Sequence, residues 1–580
     1  MRASAVGPWV VVVALVLAGC AAQPAGDTAS EPNRIKAERK DLSNYTKERP
    51  LAALKDIKAF VATAKDGAKL KGHVYIPDGP GPFPTILEYS PYHNSDAVAG
   101  GASDNQAQTI DGRRTMKGGF RALMDAGYAV ALINLRGSGI SQGCFQWGSP
   151  VDLEDLYLVL DTLSTAPWSD GQIGMIGTSY PGWTQFMAIS NPHPSLKAVI
   201  PVSGVIDLHS LLTRNGAPLS IGPAVTTAWE AAFSVAEAAY PPIDSRGGEA
   251  NHLECGPTYA NDIRESLALV THGDRNAHWD ARDLRPKIAQ SKIPILILNG
   301  LTDGEGHILQ FEGLWESIPH QDKRMLLGQW GHGGTRHPNV DFQTIRVAWF
   351  DQYLRPASEV LFKPGIVEYQ DDARQWHTSE TWPPSHNATT VFLSAGSVVA
   401  DASQVRGSSQ TLQSVPENPC PGLCNGETQD LPACGPFQAL YVSPPLQEDV
   451  LLAGNFHVNI TVTSTLPDGN LAVYLYQTKG AGTCPDAGAT EIRRALTDLR
   501  HAKPNAKGAD FPVNVPTRVD IVSHPFAAPV KAGSRIVVAI GGGSTELTPE
   551  ARLPALTVTT GVSLTGQVTF PVVEGTLAFQ

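Results

Sequence analysis

The stretch Gly174-Met175-Ile176-Gly177-Thr178-Ser179-Tyr180-Pro181-Gly182 decides how the rest of this chain is read. The apolar run at 173–176 reads as a strand, and a helix starts near Trp183. A Gly-x-Ser turn between them is the geometry of a nucleophile elbow. Glycine is needed there because bulk beside the serine would meet neighbouring backbone, and the turn itself is strained. The backbone N–H after the serine then points toward the oxygen that turns negative in acyl transfer. The second glycine, Gly182, falls three residues after the serine, where the common pattern has two.

Outward from the elbow, short apolar runs at 85–89, 128–135, 198–202, 293–298 and 325–327 alternate with helix-period segments. In the segment 151–163, Leu153, Leu156, Leu160 and Leu163 recur near helical spacing. Several strands are apolar on both faces, as parallel strands covered by helices must be. This is an α/β sheet with right-handed crossovers. A serine needs a base and a group to orient that base. The loop after the 293–298 strand carries Asp303, and the loop after 325–327 carries His332. Serine, acid and histidine thus follow three successive strands in the order of an α/β-hydrolase. The strand–helix rhythm breaks between about 207 and 288, with an Ala-rich helical segment at 224–240. That insertion is expected to be a mostly helical cap over the C-terminal strand edge, where ligands bind. The α/β unit is therefore placed at 51–355. From 356 to 580, short β-rich runs separated by Gly, Pro and Asp predict an antiparallel jelly-roll sandwich.

The 580 residues are too many for one core, and 42% hydrophobic with 17% charged residues excludes a disordered chain. With Lys and Arg at 44 against Asp and Glu at 56, the net charge of −12 argues against a nucleic-acid partner. The first 19 residues read as an export signal: Arg2, an apolar stretch at 10–17 too short to span a bilayer, then Leu17-Ala18-Gly19-Cys20. Cys20 is placed as a lipidation site, 20–50 as a tether, and the protein as an extracytoplasmic lipoprotein held to the membrane by lipid alone. The alternative is an ordinary secretory peptide with a chance cysteine. Six cysteines remain: Cys144, Cys255, Cys420, Cys424, Cys434 and Cys484. In an oxidising compartment they suggest disulfides, but six cysteines allow fifteen pairings among which the sequence does not choose; local bridges are expected among the last four, with Cys144 to Cys255 a further candidate. A zinc site is disfavoured because Cys420-x3-Cys424 has no histidine pair nearby.

Residues 168–182 resemble the serine hydrolases grouped with cocaine esterase and the X-prolyl dipeptidyl peptidases, peptidase family S15. Their elbow has the Ser-Tyr-x-Gly form, which accounts for the displaced Gly182. Supporting matches are Ser90-Pro91-Tyr92, the Gly-rich loop 136–143, Asp303-Gly304 and Gly331-His332, with Tyr441-Val442-Ser443-Pro444-Pro445-Leu446 and Arg493-Arg494-Ala495-Leu496 further on. The resemblance runs from about 55 to 575. It implies a two-step acyl transfer on Ser179, with His332 as base, Asp303 as its orienting acid, and no metal or organic cofactor. It also implies two oxyanion donors, the N–H of Tyr180 and the phenol of Tyr92. Arg136 is expected to be structural. In ester hydrolases of this group that act on α-amino acids, the residue two past the acid is acidic, and here it is Glu305. Asp207 is a further candidate contact for a substrate amine. The plainer readings are a solvated loop glutamate and a helix-capping aspartate. The substrate class implied is a small ester, amide or short peptide. Acyl transfer to another nucleophile and a non-catalytic binding module are the competing readings.

Overall fold

The computed structural model describes residues 42, 45–46, 50–93, 107–219, 248–304, 306–311, 313–337, 340–355, 361–413, 438–478, 490–503, 508–542, 554–560 and 565–580. A 10-stranded sheet dominates the N-terminal half. Its strands are β1 (Leu54–Thr63), β2 (Lys69–Pro77), β3 (Phe83–Ser90), β4 (Ala129–Asn134), β5 (Ser169–Thr178), β6 (Leu196–Val202), β7 (Ile295–Gly300), β8 (Lys323–Gly328), β9 (Ile366–Gln370) and β10 (Trp376–Ser379). They lie in the order β1-β2-β4-β3-β5-β6-β7-β8-β9-β10. From β4 to β9 every pairing is parallel, and antiparallel strands close both edges.

Every residue of β4, β7 and β8 is buried, because the sheet is covered on both faces. One face carries helices α1 (Pro150–Ser164) and α2 (Tyr180–Ser190), and the other carries α4 (Phe342–Leu354). Helix α1 starts where the sequence says it should. Pro150 follows Ser149, whose hydroxyl accepts from the Val151 N–H, and the Asp152 carboxylate accepts from the Ser149 N–H. Leu153, Leu156, Leu160 and Leu163 are all buried.

The expected cap is present in part. Helix α3 (Gly248–His272) and short helices at Ala277–Asp280 and Arg285–Ile288 fall within it, together with a two-residue ribbon, Thr213–Arg214 against Ala217–Pro218. That ribbon was not expected, and 224–240 lies outside the described residues. A disulfide joins Cys144, in the loop after β4, to Cys255 on α3. Cys20, Cys420, Cys424, Cys434 and Cys484 lie outside the described residues. No helix among the described residues is long and apolar enough to cross a membrane.

The boundary expected at 355 does not coincide with the end of the sheet. Strands β9 and β10 lie beyond it yet extend the same sheet, with Leu327 of β8 in register with Tyr369 of β9. The sandwich proper begins with the strand Asn387–Ser394 and ends with Gly566–Glu574. One apolar core runs from the sheet face under α1 and α2 into the sandwich, taking in Tyr474, Tyr476, Leu496 and Val537.

Candidate active site

The parallel strands end together. Thr178 of β5 is in register with Val202 of β6, Val202 with Leu298 of β7, and Gly300 of β7 with Gly328 of β8. The residues just past those ends therefore share one edge, on which Ser179, Asp303 and His332 all sit.

Ser179 stands between β5 and α2 with φ 68° and ψ −122°, a conformation that costs a non-glycine residue about 1–3 kcal/mol. Hydrogen bonds hold it there: its N–H donates to the Val202 carbonyl at 2.9 Å, and its carbonyl accepts from the Trp183 N–H at 3.0 Å. The glycines are required by close approach. A Cβ on Gly177 would lie 2.2 Å from Pro181, and one on Gly182 would lie 2.7 Å from the Val202 carbonyl oxygen. Tyr180 is the first residue of α2, so its N–H has no acceptor within its own helix. Its ring is packed among Phe145, Trp147 and Trp183, and its phenol accepts from the Gly148 N–H at 3.0 Å. Burial pushes that phenol well above its usual range, so it stays neutral. From the end of β3, the Tyr92 phenol reaches the Ser179 Oγ at 3.5 Å.

The acid and base meet on the neighbouring loops. His332 Nδ1 lies 3.2 Å from Asp303 Oδ2, and the Asp303 side chain is fully buried. Gly333, next to His332, faces Thr178, next to Ser179, and its N–H donates to Ser203 Oγ at 3.3 Å. Burial alone would raise the Asp303 carboxyl, but His307 and His332 beside it outweigh that and hold it well below the carboxylate range. Asp303 is thus a fixed anion beside the imidazole. His307 was missed in the sequence. It follows the acid by four residues, is almost fully buried, and places Nδ1 3.7 Å from the same Asp303 oxygen. Arg493 was quoted only as part of a C-terminal motif. Its guanidinium donates at 2.5 Å to the carbonyl of Leu301, two residues before the acid.

Asp207 is not a substrate contact, and that expectation is corrected. Its carboxylate is fully buried and held by Arg275 at 2.9 Å through both oxygens and by Arg285 at 2.8 Å. Burial opposes its ionisation, but those guanidiniums and Ser210 lower its pKa below the usual value. Nor does it cap the helix it precedes, since its side chain accepts no cap bond. Glu305 lies outside the described residues. Arg136 is buried against Asp155 and Asp66, a structural placement.

Comparison with known proteins agrees with this geometry. Residues 66–334 match the family described as X-Pro dipeptidyl-peptidase (S15 family), and 362–557 match the X-Pro dipeptidyl-peptidase C-terminal non-catalytic domain. The chain belongs to the S15 and CocE/NonD family. A putative Xaa-Pro dipeptidyl-peptidase of Bacillus anthracis is 26% identical over 384 residues, 61% of this chain and 60% of its own length. This family member therefore spans about 60% of that relative's length. The cocaine esterase of Rhodococcus sp. is 24% identical over 496 residues, 75% of this chain and 82% of its own. The crystal structure of an aminopeptidase from a marine sediment Thaumarchaeota archaeon has the same fold, with a TM-score of 0.69 at 17% identity, covering 94% of this chain and 99% of its own.

Proposed function

We propose that the chain hydrolyses esters or amides through an acyl-enzyme on Ser179. The observation that carries this reading is the convergence on one sheet edge of a strained serine, His332 paired with the buried Asp303, and a phenol facing the serine oxygen. His332 takes the Ser179 proton as the oxygen attacks the carbonyl carbon. The oxyanion so formed accepts from the Tyr180 N–H and the Tyr92 phenol, neither of which adds a competing charge. As the tetrahedral intermediate collapses, the leaving group departs with the proton from His332. Water then attacks the acyl carbon, His332 again takes a proton, and Ser179 is released.

Fluorophosphonate labelling tests the reading, because that probe phosphonylates only an activated serine. Labelling is expected on the native chain and lost in Ser179→Ala. An unlabelled native chain would refute it. The leaving group is the open part, and X-Pro amides run beside simple acyl esters would assign it. For the acyl side, Glu305 is the remaining candidate to hold a substrate amine. If Glu305→Gln leaves the ratio of aminoacyl-ester to simple-ester turnover unchanged, it has no such role.

Export with Cys20 as the lipid anchor is part of the same proposal. It rests on the Leu17-Ala18-Gly19-Cys20 box, and the Cys144–Cys255 disulfide supports it, since such bonds persist in oxidising compartments. Metabolic labelling with a fatty acid is expected to mark the chain and to be lost in Cys20→Ala.

A further inference from the structure

His307 has no place in the catalytic cycle above, yet it is built into the acid–base pair. Its ring lies 4.5 Å from that of His332, tilted by 37°. Its Nδ1 is buried without a hydrogen-bond partner, and Asp303 Oδ2 lies 3.7 Å away. A buried unpaired ring nitrogen costs about 1–3 kcal/mol unless something else satisfies it. Among the described residues, Asp303, His307 and His332 form a group whose ligand atoms all lie within 4.8 Å of one another.

Two imidazoles and one carboxylate are the donors of borderline divalent cations such as zinc, and a poor set for magnesium or calcium. Zinc sits about 2.0–2.2 Å from such donors, so in a tetrahedral site two of them stand about 3.4 Å apart. The separations of 3.2 Å and 3.7 Å from Asp303 Oδ2 to the two imidazoles bracket that value. The two rings are already side by side.

We infer that Asp303, His307 and His332 form a reversible inhibitory site for zinc or a similar transition-metal cation. The inhibitory consequence, though not the binding, rests on the serine-hydrolase reading. A neutral imidazole carries one ring proton. In the acid–base pair that proton is on Nδ1, facing Asp303, which leaves Nε2 to accept from the serine. A cation on Nδ1 displaces the proton to Nε2, so the nitrogen that should accept from Ser179 becomes a donor. The metal also occupies the carboxylate that stabilises the imidazolium. The base is therefore switched off with no bond made or broken to Ser179.

The test separates binding from catalysis. Calorimetric titration of zinc chloride into the full chain carrying Ser179→Ala should show a one-to-one site that magnesium chloride does not fill. Adding His307→Gln should weaken it by more than about 100-fold, beyond the 10–100-fold that outer-shell partners usually cost. Zinc binding unchanged by His307→Gln would overturn the assignment. If His307→Gln does not fold, His307→Asn takes its place, and the unaltered chain gives a second reading. There, micromolar zinc should block fluorophosphonate labelling of Ser179, and a chelator should restore it. Labelling indifferent to zinc would overturn the inhibitory role. Labelling absent even without zinc would instead refute the serine-hydrolase reading and leave the calorimetric result standing.

Discussion

Replacing Tyr92 by phenylalanine removes one hydroxyl and little else. The residue is exposed at 36%, and its backbone N–H still donates to Ser90 Oγ at 3.0 Å, so the fold has no reason to change. In the resting structure the phenol is 3.5 Å from Ser179 Oγ, too long for a strong hydrogen bond. Its value must then come when charge develops on the substrate oxygen. Removing one oxyanion donor of this kind costs about 2.7–4 kcal/mol, or about 100- to 1000-fold in kcat. The Tyr180 N–H remains, so activity should fall rather than vanish. Because the interaction belongs to the transition state, KM should stay within about twofold. The assay is steady-state hydrolysis of an activated acyl ester by the native and Tyr92→Phe chains. Fluorophosphonate labelling rates, which pass through a similar oxyanion, serve as a second readout. The melting temperature should be unchanged. A kcat within about threefold of native, or a loss confined to KM, would refute the oxyanion role.

Other consequences follow from contacts away from the serine. Arg493→Gln removes a charged donor from the Leu301 carbonyl, worth about 1.5–3 kcal/mol if all of it bears on the acid loop, so kcat/KM should fall about tenfold or more. An unchanged kcat/KM would mean the acid loop holds itself. Replacing Cys144 and Cys255 together by serine opens a constraint across 111 residues, which on chain-entropy grounds costs about 4–5 kcal/mol. The thermal midpoint should drop, and the reduced native chain should match the variant. Burial raises the Glu88 carboxyl to about 7 against the opposing pull of Arg346, with His93 Nε2 3.4 Å away. The folded chain then keeps a proton that the unfolded chain loses from the ordinary glutamate value of 4.5 upward, so stability falls as pH rises from there to about 7. Glu88→Gln should therefore stabilise the chain more at pH 8 than at pH 5, by up to about 3 kcal/mol. Equal effects at both pH values in denaturant melts would show that the buried carboxyl is not the cause.

How far the sequence could be read depended on how local the deciding interaction was. The central strands were legible because β4, β5, β7 and β8 contain continuous apolar runs, which only a doubly covered sheet requires. Ser179, Asp303 and His332 could be picked out as candidates because each follows such a run. Strand β2, Lys69–Pro77, carries two lysines and a histidine, and it lies second from the sheet edge with part of it still in contact with water. It therefore gave no core signal. Strands β9 and β10 lie past the helix that seemed to close the unit, and only the register with β8 assigns them to its sheet. Asp207 misled for a different reason. A carboxylate after a strand looks like a site residue, but its partners Arg275 and Arg285 stand 68 and 78 residues further along. No local pattern announces a pairing over that distance. His307 could have been noticed four residues after the acid, but only the folded loop shows that its ring comes back toward Asp303.

The C-terminal sandwich is the part whose role the sequence left most open, and its contacts answer in physical terms. Among the described residues it contributes no reacting group, yet it touches both the acid loop and the cap. Arg493 grips the acid loop through Leu301. In the cap, Arg214 donates to the carbonyls of Val522 and Ser523, and Asn215 donates to that of Leu496. Gly508 donates to Asp274 beside the end of α3. Here the cap and the acid loop are tied to one rigid β-framework that shares a core with the sheet. A shift of about 1 Å in a catalytic group can cost about 100-fold in rate. The sandwich is therefore best understood as the device that keeps Asp303 and the cap in fixed register with Ser179.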